Sequence, residues 1–217
     1  MNVPMILIQV FVVLFAITIH EAAHAWTASK FGDPTAASMG RASLNPLVHI
    51  DPIGTILFPL ALIILSKGAG PVFGWAKPVP YNPYNLRDPR RGGLWISFAG
   101  PISNILTAAA AVLVFQFIKL FGARIPASSA FVKPLEGLTL VLLFMALINL
   151  SLAIFNLIPI PPLDGSGILA GLLSERAAAK YEQLRPYGFL ILIALMYSGF
   201  LTLIFSPVYK LVLVLFR

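Results

Sequence analysis

The chain has 217 residues, of which 59% are hydrophobic and 11% are charged, with a mean hydropathy of +0.90. Soluble domains carry about 25% charged residues, so the composition excludes that class and favours one integral membrane domain over residues 1–217. The sequence has no cysteine, which excludes disulfides and thiolate metal sites. We assign the net charge of +7 to loops at a membrane surface rather than to nucleic-acid binding.

Long apolar runs define the predicted helices. Their approximate bounds are residues 5–30, 94–121, 135–157 and 187–216, each at or above the ~20 residues that cross a hydrocarbon core. The last run contains Pro207, where we expect a break or a kink. The first run has no basic residue before it and continues to Trp26, so we expect it to be retained rather than cleaved as a signal peptide.

The segments between these runs are short or polar. Residues 53–65 form an apolar run that is interrupted by Pro59 and is too short to cross, which predicts a re-entrant segment. The polar stretch 34–52 contains ASMGRASL, a pattern compatible with a short strand, and residues 168–184 are amphipathic. The predicted fold class is an all-α, multi-pass helical bundle with a re-entrant segment, and a short β-hairpin near the active site remains open.

The first helix carries an HExxH motif, formed by His20, Glu21 and His24. Positions four apart lie on nearly the same helical face, so both imidazoles can point at one metal ion while Glu21 holds a water. Counting ~1.5 Å per residue from Met5 places His20 ~22 Å into a ~30 Å hydrocarbon core. Ionisable groups at that depth cost at least ~2.5 kcal/mol and usually mark function, which favours a metal site over histidines that only pair with each other.

A catalytic zinc usually has three protein ligands and one open position, so a third ligand must come from elsewhere in the chain. Glu136 sits at a helix start, where a carboxylate suits the helix dipole. His49 and Asp51 sit in a turn-rich segment. Asp164 follows a proline-broken segment, and irregular backbone at membrane depth is tolerated only beside protein or a watery cavity. We favour Asp164, with an N-cap of the next helix as its alternative role.

Several motifs together resemble the site-2 proteases, which are intramembrane zinc metalloproteases, and in particular their small bacterial members. The motifs are His20-Glu21-x-x-His24, Gly100-Pro101-x-x-Asn104, Asn156-x-x-Pro159-x-Pro161-x-Leu163-Asp164-Gly165, GRASLNPLVHIDPIGT and FGWAKPVPYNP. Gly100-Pro101 is expected either to let helices approach closely or to start a helix. No stretch is long and polar enough for the PDZ or CBS modules of larger relatives.

The resemblance implies a specific site and reaction. His20, His24 and Asp164 would bind one zinc ion, Glu21 would be the catalytic acid/base, and Asn156 would hold the scissile peptide or its oxyanion. The substrate would be a transmembrane protein, cut in or near its membrane-spanning segment. The expected partners are therefore that substrate and the lipid bilayer, with no nucleic acid, and the oligomeric state is left open.

The membrane topology follows from bringing the ligands to one depth. The ends of the helices 5–30 and 135–157 that lead to the ligands must lie on the same side of the membrane. The helix 94–121 is antiparallel to 135–157, so it starts on that side too. The chain from 30 to 93 therefore begins and ends on the site's side, and residues 53–65 dip in and return. Ten basic residues fall on that side and three on the other, which predicts that the site faces the cytoplasm of a cell membrane. The ten are Lys30, Arg41, Lys67, Lys77, Arg87, Arg90, Arg91, Arg176, Lys180 and Arg185, and the three are Lys119, Arg124 and Lys133.

Two other functions are compatible with these residues. A metal or proton transporter also lines its pathway with buried His, Asp and Glu, and a catalytically silent homologue would only bind membrane partners. A transporter needs no glutamate beside a ligating histidine, so Glu21 favours the protease.

Overall fold

The computed structural model describes residues 3–65, 74–122 and 130–217, and those ranges contain helices and no strand. Lys67 and Arg124, two of the basic residues in the predicted topology, lie outside the described residues. The α-helices are α1 (Val3–Lys30), α2 (Thr35–Ser38), α3 (Phe58–Leu65), α4 (Pro89–Gly122), α5 (Val132–Asn156), α6 (Asp164–Leu172), α7 (Glu175–Glu182), α8 (Gly188–Tyr197) and α9 (Phe200–Leu215). Three of them, α1, α4 and α5, are long and apolar enough to cross a membrane. The prediction of an all-α, multi-pass membrane protein is confirmed.

Helix α4 is the centre of the bundle and packs against α1, α5 and α6, while α9 packs on α5. Its buried residues include Gly100, Asn104, Ala108, Ala111 and Phe115, which recur every three or four positions and so form one face. Small side chains on that face let neighbouring helices approach closely, as is typical of membrane interfaces. The same face carries Asn104 into the interior of the bundle, toward the HExxH motif.

Helix α4 begins at Pro89, five residues before the predicted start at residue 94. Asp88 caps it, because its Oδ1 accepts hydrogen bonds from the N–H groups of Arg90 at 3.1 Å and Arg91 at 3.0 Å. A proline suits the first helical position, where its missing N–H costs nothing. The expectation that Gly100-Pro101 might start a helix is therefore wrong, since Pro101 lies inside α4.

The segment ASMGRASL, residues 37–44, does not form the strand that its pattern allowed. Its first two residues belong to α2, and Gly40 adopts a left-handed φ of 71°. Local bonds satisfy the backbone instead: Asp33 Oδ1 accepts from the Thr35 N–H at 3.1 Å, and the Arg41 N–H donates to the Ala36 carbonyl at 2.8 Å. Such side-chain and turn bonds compete with a strand ladder for the same groups.

The apolar run 53–65 folds as one irregular helical turn, Pro52–Leu57, followed by α3. These elements have six and eight residues, which rise roughly 20 Å and fall short of a ~30 Å core. The chain then returns beside the start of the run, because the Trp75 N–H donates to the Gly54 carbonyl at 3.1 Å. A dip into the membrane and back remains our prediction for this segment.

The C-terminal apolar run is split into α8 and α9, and the helical segment Glu175–Tyr197, which ends with α8, is bent by 65° from α9. The break falls at Gly199, whose φ of 80° is left-handed and ends helical geometry at little cost for a glycine. Pro207 lies inside α9, so the chain does not break at that residue, and a kink there stays a prediction. Val208 and Val212 are the buried residues of α9, and Val212 belongs to the core cluster shared with α4 and α5.

Candidate metal centre

The three predicted metal ligands converge on one point. Nε2 of His20 lies 3.0 Å from Oδ2 of Asp164, and Nε2 of His24 lies 3.4 Å from the same oxygen. One ligand atom from each residue lies within 4.8 Å of the other two. The two histidines share a face of α1 because they are four residues apart, and Asp164 is supplied by the first residue of α6.

Close packing of α6 on α4 brings Asp164 to the histidines. Gly167 and Gly171, one turn apart on α6, lie directly against Ser97 and Leu94 of α4, where a Cβ would collide with them. This small-x-x-x-small pattern lets two helices approach closely. The cap position of α6 is occupied by Leu163 rather than Asp164, so the alternative role of Asp164 as an N-cap is wrong.

Hydrogen bonds on the far side of each imidazole fix its tautomer. His24 Nδ1 lies 2.6 Å from the Ile96 carbonyl oxygen, which only accepts, so Nδ1 carries the proton. His20 Nδ1 donates to Asn104 Oδ1 at 2.6 Å. The orientation of that amide is itself fixed, because Asn104 Nδ2 donates to the Ala16 carbonyl at 3.1 Å and to Asn149 Oδ1 at 2.8 Å. With Nδ1 of each ring engaged in this way, Nε2 is the nitrogen that each histidine can offer to a metal ion.

This arrangement fits a divalent cation. The two Nε2 atoms and a carboxylate oxygen lie within 4.8 Å of one another, so a single ion between them could be bound by all three. Oδ2 of Asp164 is buried and has no hydrogen-bond partner within residues 3–65, 74–122 and 130–217. Two histidine nitrogens and one carboxylate oxygen are ligands that zinc accepts, and they leave a fourth position open. The donor set therefore fits zinc.

Gly100 leaves the space that the cation would need. A Cβ on Gly100 would lie 2.5 Å from Nε2 of His24 and 2.6 Å from Nε2 of His20. Gly100 therefore approaches the imidazoles themselves, which supports the expectation of close helix approach at Gly100-Pro101.

Glu21 and Asn156, the predicted catalytic residues, line the same cavity as the three ligands. The cavity has a volume of about 590 Å³ and mostly apolar walls, which include Trp75, Phe155 and Leu192. Oε2 of Glu21 accepts a hydrogen bond from the Val79 N–H at 3.2 Å. Nδ2 of Asn156 donates to the Leu152 carbonyl of its own helix at 3.0 Å.

The other acidic and histidine candidates lie away from the centre. Asp51 caps the turn that follows it, accepting from the Gly54 N–H at 2.6 Å. His49 is buried among loop residues, with Nε2 2.8 Å from the Ser43 carbonyl oxygen. Glu136 is near the start of α5, roughly 30 Å along the helix from Asn156.

Residues 74–82 run along one side of the cavity, and Asp33 holds their far end. Oδ2 of Asp33 accepts from the Asn82 N–H at 2.7 Å, and Oδ1 accepts from Asn85 Nδ2 at 2.8 Å. Burial raises the pKa of Asp33, but hydrogen bonds from Thr35, Asn85 and Asn82 outweigh it and leave the pKa below its usual value. Asp33 is therefore ionised at neutral pH. Burial raises the pKa of the Tyr81 phenol, which stays neutral.

Replacing Asn104 with alanine is expected to weaken zinc binding about 10- to 100-fold, the usual cost of removing a group that orients a metal-bound histidine. His20 would lose the acceptor that fixes its tautomer. Competition with a chromogenic chelator measures the affinity. Thr107→Ala is the matched control, because Thr107 is one turn away and its hydroxyl donates to the Ser103 carbonyl of the same helix at 2.8 Å. Equal zinc affinities for the two variants would contradict the orienting role.

The chain thus combines three residues that could hold a metal ion, two of them from an HExxH motif, with helices long enough to cross a membrane, as expected of a membrane metalloprotease. The model of peptidase family M50 matches residues 8–198. The chain belongs to peptidase family M50, the site-2 protease family, and is accordingly a zinc metalloprotease.

Similar proteins come from bacteria and an archaeon. The chain is 38% identical over 186 residues to YwhC of Bacillus subtilis, provisionally named a zinc metalloprotease, with 86% of this chain and 78% of the relative covered. It is 28% identical to Rip2 of Mycolicibacterium smegmatis, also provisionally named so, covering 84% and 64%. It is 26% identical to a zinc metalloprotease of Methanocaldococcus jannaschii, covering 76% and 34%. No solved structure matches the chain.

Proposed function

We propose that this protein is an intramembrane zinc endopeptidase that hydrolyses peptide bonds in or near the transmembrane segments of other proteins. The observation that carries the proposal is that Asp164 of α6 meets His20 and His24, which lie beside Glu21 in an apolar helix of spanning length. A metal centre in that position has access to membrane-embedded peptide bonds that a soluble protease would not reach.

Each site residue has a distinct role in the proposed reaction. His20, His24 and Asp164 hold the zinc. When bound, zinc supplies Lewis-acid polarisation of the scissile carbonyl and lowers the pKa of a water ligand to ~7. Glu21 takes the proton of the attacking water on its carboxylate and then delivers that proton to the leaving amine. Nδ2 of Asn156 has two hydrogens, so it can donate one to the developing oxyanion while the other stays bonded to the Leu152 carbonyl.

The cavity suits a substrate of membrane origin. Its walls are largely apolar, so they match the side chains of a spanning segment, while its polar lining residues include the three ligands, Glu21 and Asn156. A helical substrate hides its carbonyls in internal hydrogen bonds, so it must unwind locally before one carbonyl reaches the site. The enzyme would therefore favour segments with residues that weaken a helix near the cut, such as glycine or proline.

We place the enzyme in a cell membrane with the site toward the cytoplasm. The support is the excess of lysine and arginine in the loops on the site's side. Arg90, in the first turn of α4, is one of these basic residues, and its Nε donates to the Gly171 carbonyl of α6 at 2.8 Å. The first turn of α4 is thus joined to the last turn of α6, at the end opposite Asp164.

Removal of zinc is expected to abolish cleavage, and its return is expected to restore it. The protein in liposomes, incubated with a protein that has one membrane-spanning segment, should lose all cleavage after treatment with a zinc chelator and regain it with added zinc. Cleavage that continues in the zinc-free protein would refute the proposed reaction. Zinc uptake into sealed vesicles without any cleavage would favour the transporter instead.

A further inference from the structure

The tripeptide Pro78-Val79-Pro80 lies beside Glu21. The Val79 N–H donates to Oε2 of Glu21 at 3.2 Å, although the two residues are 58 positions apart in the chain. Because proline has no N–H, Val79 supplies the one backbone donor that this tripeptide can offer. The prolines also hold the backbone extended, since the residue before a proline is restricted to β or polyproline geometry.

The segment is anchored before Val79 by the turn-rich loop. The Lys77 N–H donates to the His49 carbonyl at 2.9 Å, two residues from Val79. Closer to the start of the segment, the hydroxyl of Thr55 donates to the Trp75 carbonyl at 2.8 Å, and the Trp75 N–H bonds back to Gly54. Backbone hydrogen bonds thus hold Trp75 and Lys77, every second residue before Val79.

The segment is anchored after Val79 by Asp33, which follows the helix that carries Glu21. The Asp33 side chain is fully buried, and its carboxylate accepts from the Asn82 N–H, three residues beyond Val79. Asp33 is itself held to α1, because its own N–H donates to the Ala28 carbonyl at 2.9 Å. Glu21 and the segment that bonds it therefore share one rigid support.

We propose that the backbone N–H of Val79 is a positioning group for Glu21, which holds one carboxylate oxygen so that the other is presented to the attacking water. The inference rests on the proposed role of Glu21 as acid/base. A free glutamate side chain has three rotatable bonds, and fixing it in advance removes an entropic cost from the reaction. A donor built from backbone between two prolines has no rotamers of its own, so it fixes the carboxylate at little cost.

The Val79→Pro variant removes the N–H and retains an extended backbone at a site already flanked by prolines. Val79→Ala, which shortens the side chain but keeps the N–H, is the reference. We expect kcat for a membrane-spanning substrate to be about 10- to 100-fold lower in Val79→Pro than in Val79→Ala, the range for losing one hydrogen bond to a charged group. KM should change much less than kcat, and zinc per chain, measured by atomic absorption, should be equal.

A second variant removes the N–H without changing the side chain or backbone shape. Incorporation of the α-hydroxy analogue of valine at position 79 replaces the amide by an ester, and the same fall in kcat is expected. A wild-type kcat in this ester variant would overturn the inference, and so would a rise in kcat, which would mean that Val79 restrains Glu21. If Glu21→Gln is inactive while the Val79 variants are normal, this inference alone fails. Cleavage of the membrane-spanning substrate by Glu21→Gln at the wild-type rate would contradict the proposed function.

Discussion

Replacing Glu21 with glutamine is expected to lower kcat for peptide cleavage about 10²- to 10⁴-fold, the typical contribution of a general acid/base. Glutamine keeps the shape of the side chain and can still accept the hydrogen bond from Val79, but it cannot take a proton from water. Because Glu21 is not one of the three converging ligands, the variant should bind one zinc per chain as the wild type does. Single-turnover cleavage of a membrane-spanning substrate and zinc analysis of the same sample measure both quantities.

Glu136→Gln is the matched control for this experiment. It makes the same chemical change near the start of α5, on a residue that lines a different cavity from the one at the metal centre. Its kcat should stay near the wild-type value. Full activity in Glu21→Gln would contradict the acid/base role, whereas a loss of zinc from that variant would mean that Glu21 is itself a ligand.

Local features of the site were predictable from the sequence because they depend on short-range geometry. The spacing of His20 and His24 fixes their common face once the segment is a helix, and the apolar run of α1 leaves no other secondary structure at membrane depth. Asp164 is predictable because it follows a proline-broken segment, and irregular backbone at membrane depth is tolerated only beside protein or a watery cavity. These inferences use only neighbouring residues and the properties of the bilayer.

The supporting residues of the site were less accessible to sequence reasoning. Asn104 belonged to a recognised motif, but its bond to His20 depends on how α4 packs against α1. Asn149 was missed; the one available signal was a buried amide within an otherwise apolar stretch of α5. The Ile96 carbonyl could not be predicted, because a backbone acceptor leaves no mark in the sequence. Contacts between distant helices set all three.

The errors in the predicted elements have local physical causes. The predicted start of α4 at residue 94 is too late, because the Gly, Pro and basic residues of 66–93 favour a loop although Asp88-Pro89 is a good cap and first position. In the C-terminal run, the prediction put the break or kink at Pro207, whereas the helix is interrupted at Gly199. An isolated proline removes one hydrogen bond and can be carried inside a packed helix, while a glycine in left-handed geometry ends one.

Replacing Gly100 with alanine is expected to abolish stoichiometric zinc binding. The added methyl carbon would lie 2.5 and 2.6 Å from the two Nε2 atoms that would bind the metal, whereas zinc itself sits ~2.0–2.1 Å from a histidine nitrogen. The methyl and the zinc would compete for one space, so the loss should exceed the ~10–100-fold weakening expected for Asn104→Ala. Chelator competition measures the affinity, and cleavage should fall in proportion to bound zinc.

Gly93→Ala is the matched control on the same helix, because a Cβ there would meet only the Tyr81 hydroxyl at 3.8 Å, an ordinary contact. Alanine is favoured over glycine in a helix by about 1 kcal/mol, so neither substitution weakens α4 through propensity. The zinc-free forms of Gly93→Ala and wild type should therefore unfold at similar temperatures, and Gly100→Ala should remain folded. Zinc affinity equal to that of wild type in Gly100→Ala would mean that the metal lies away from the point where His20, His24 and Asp164 converge.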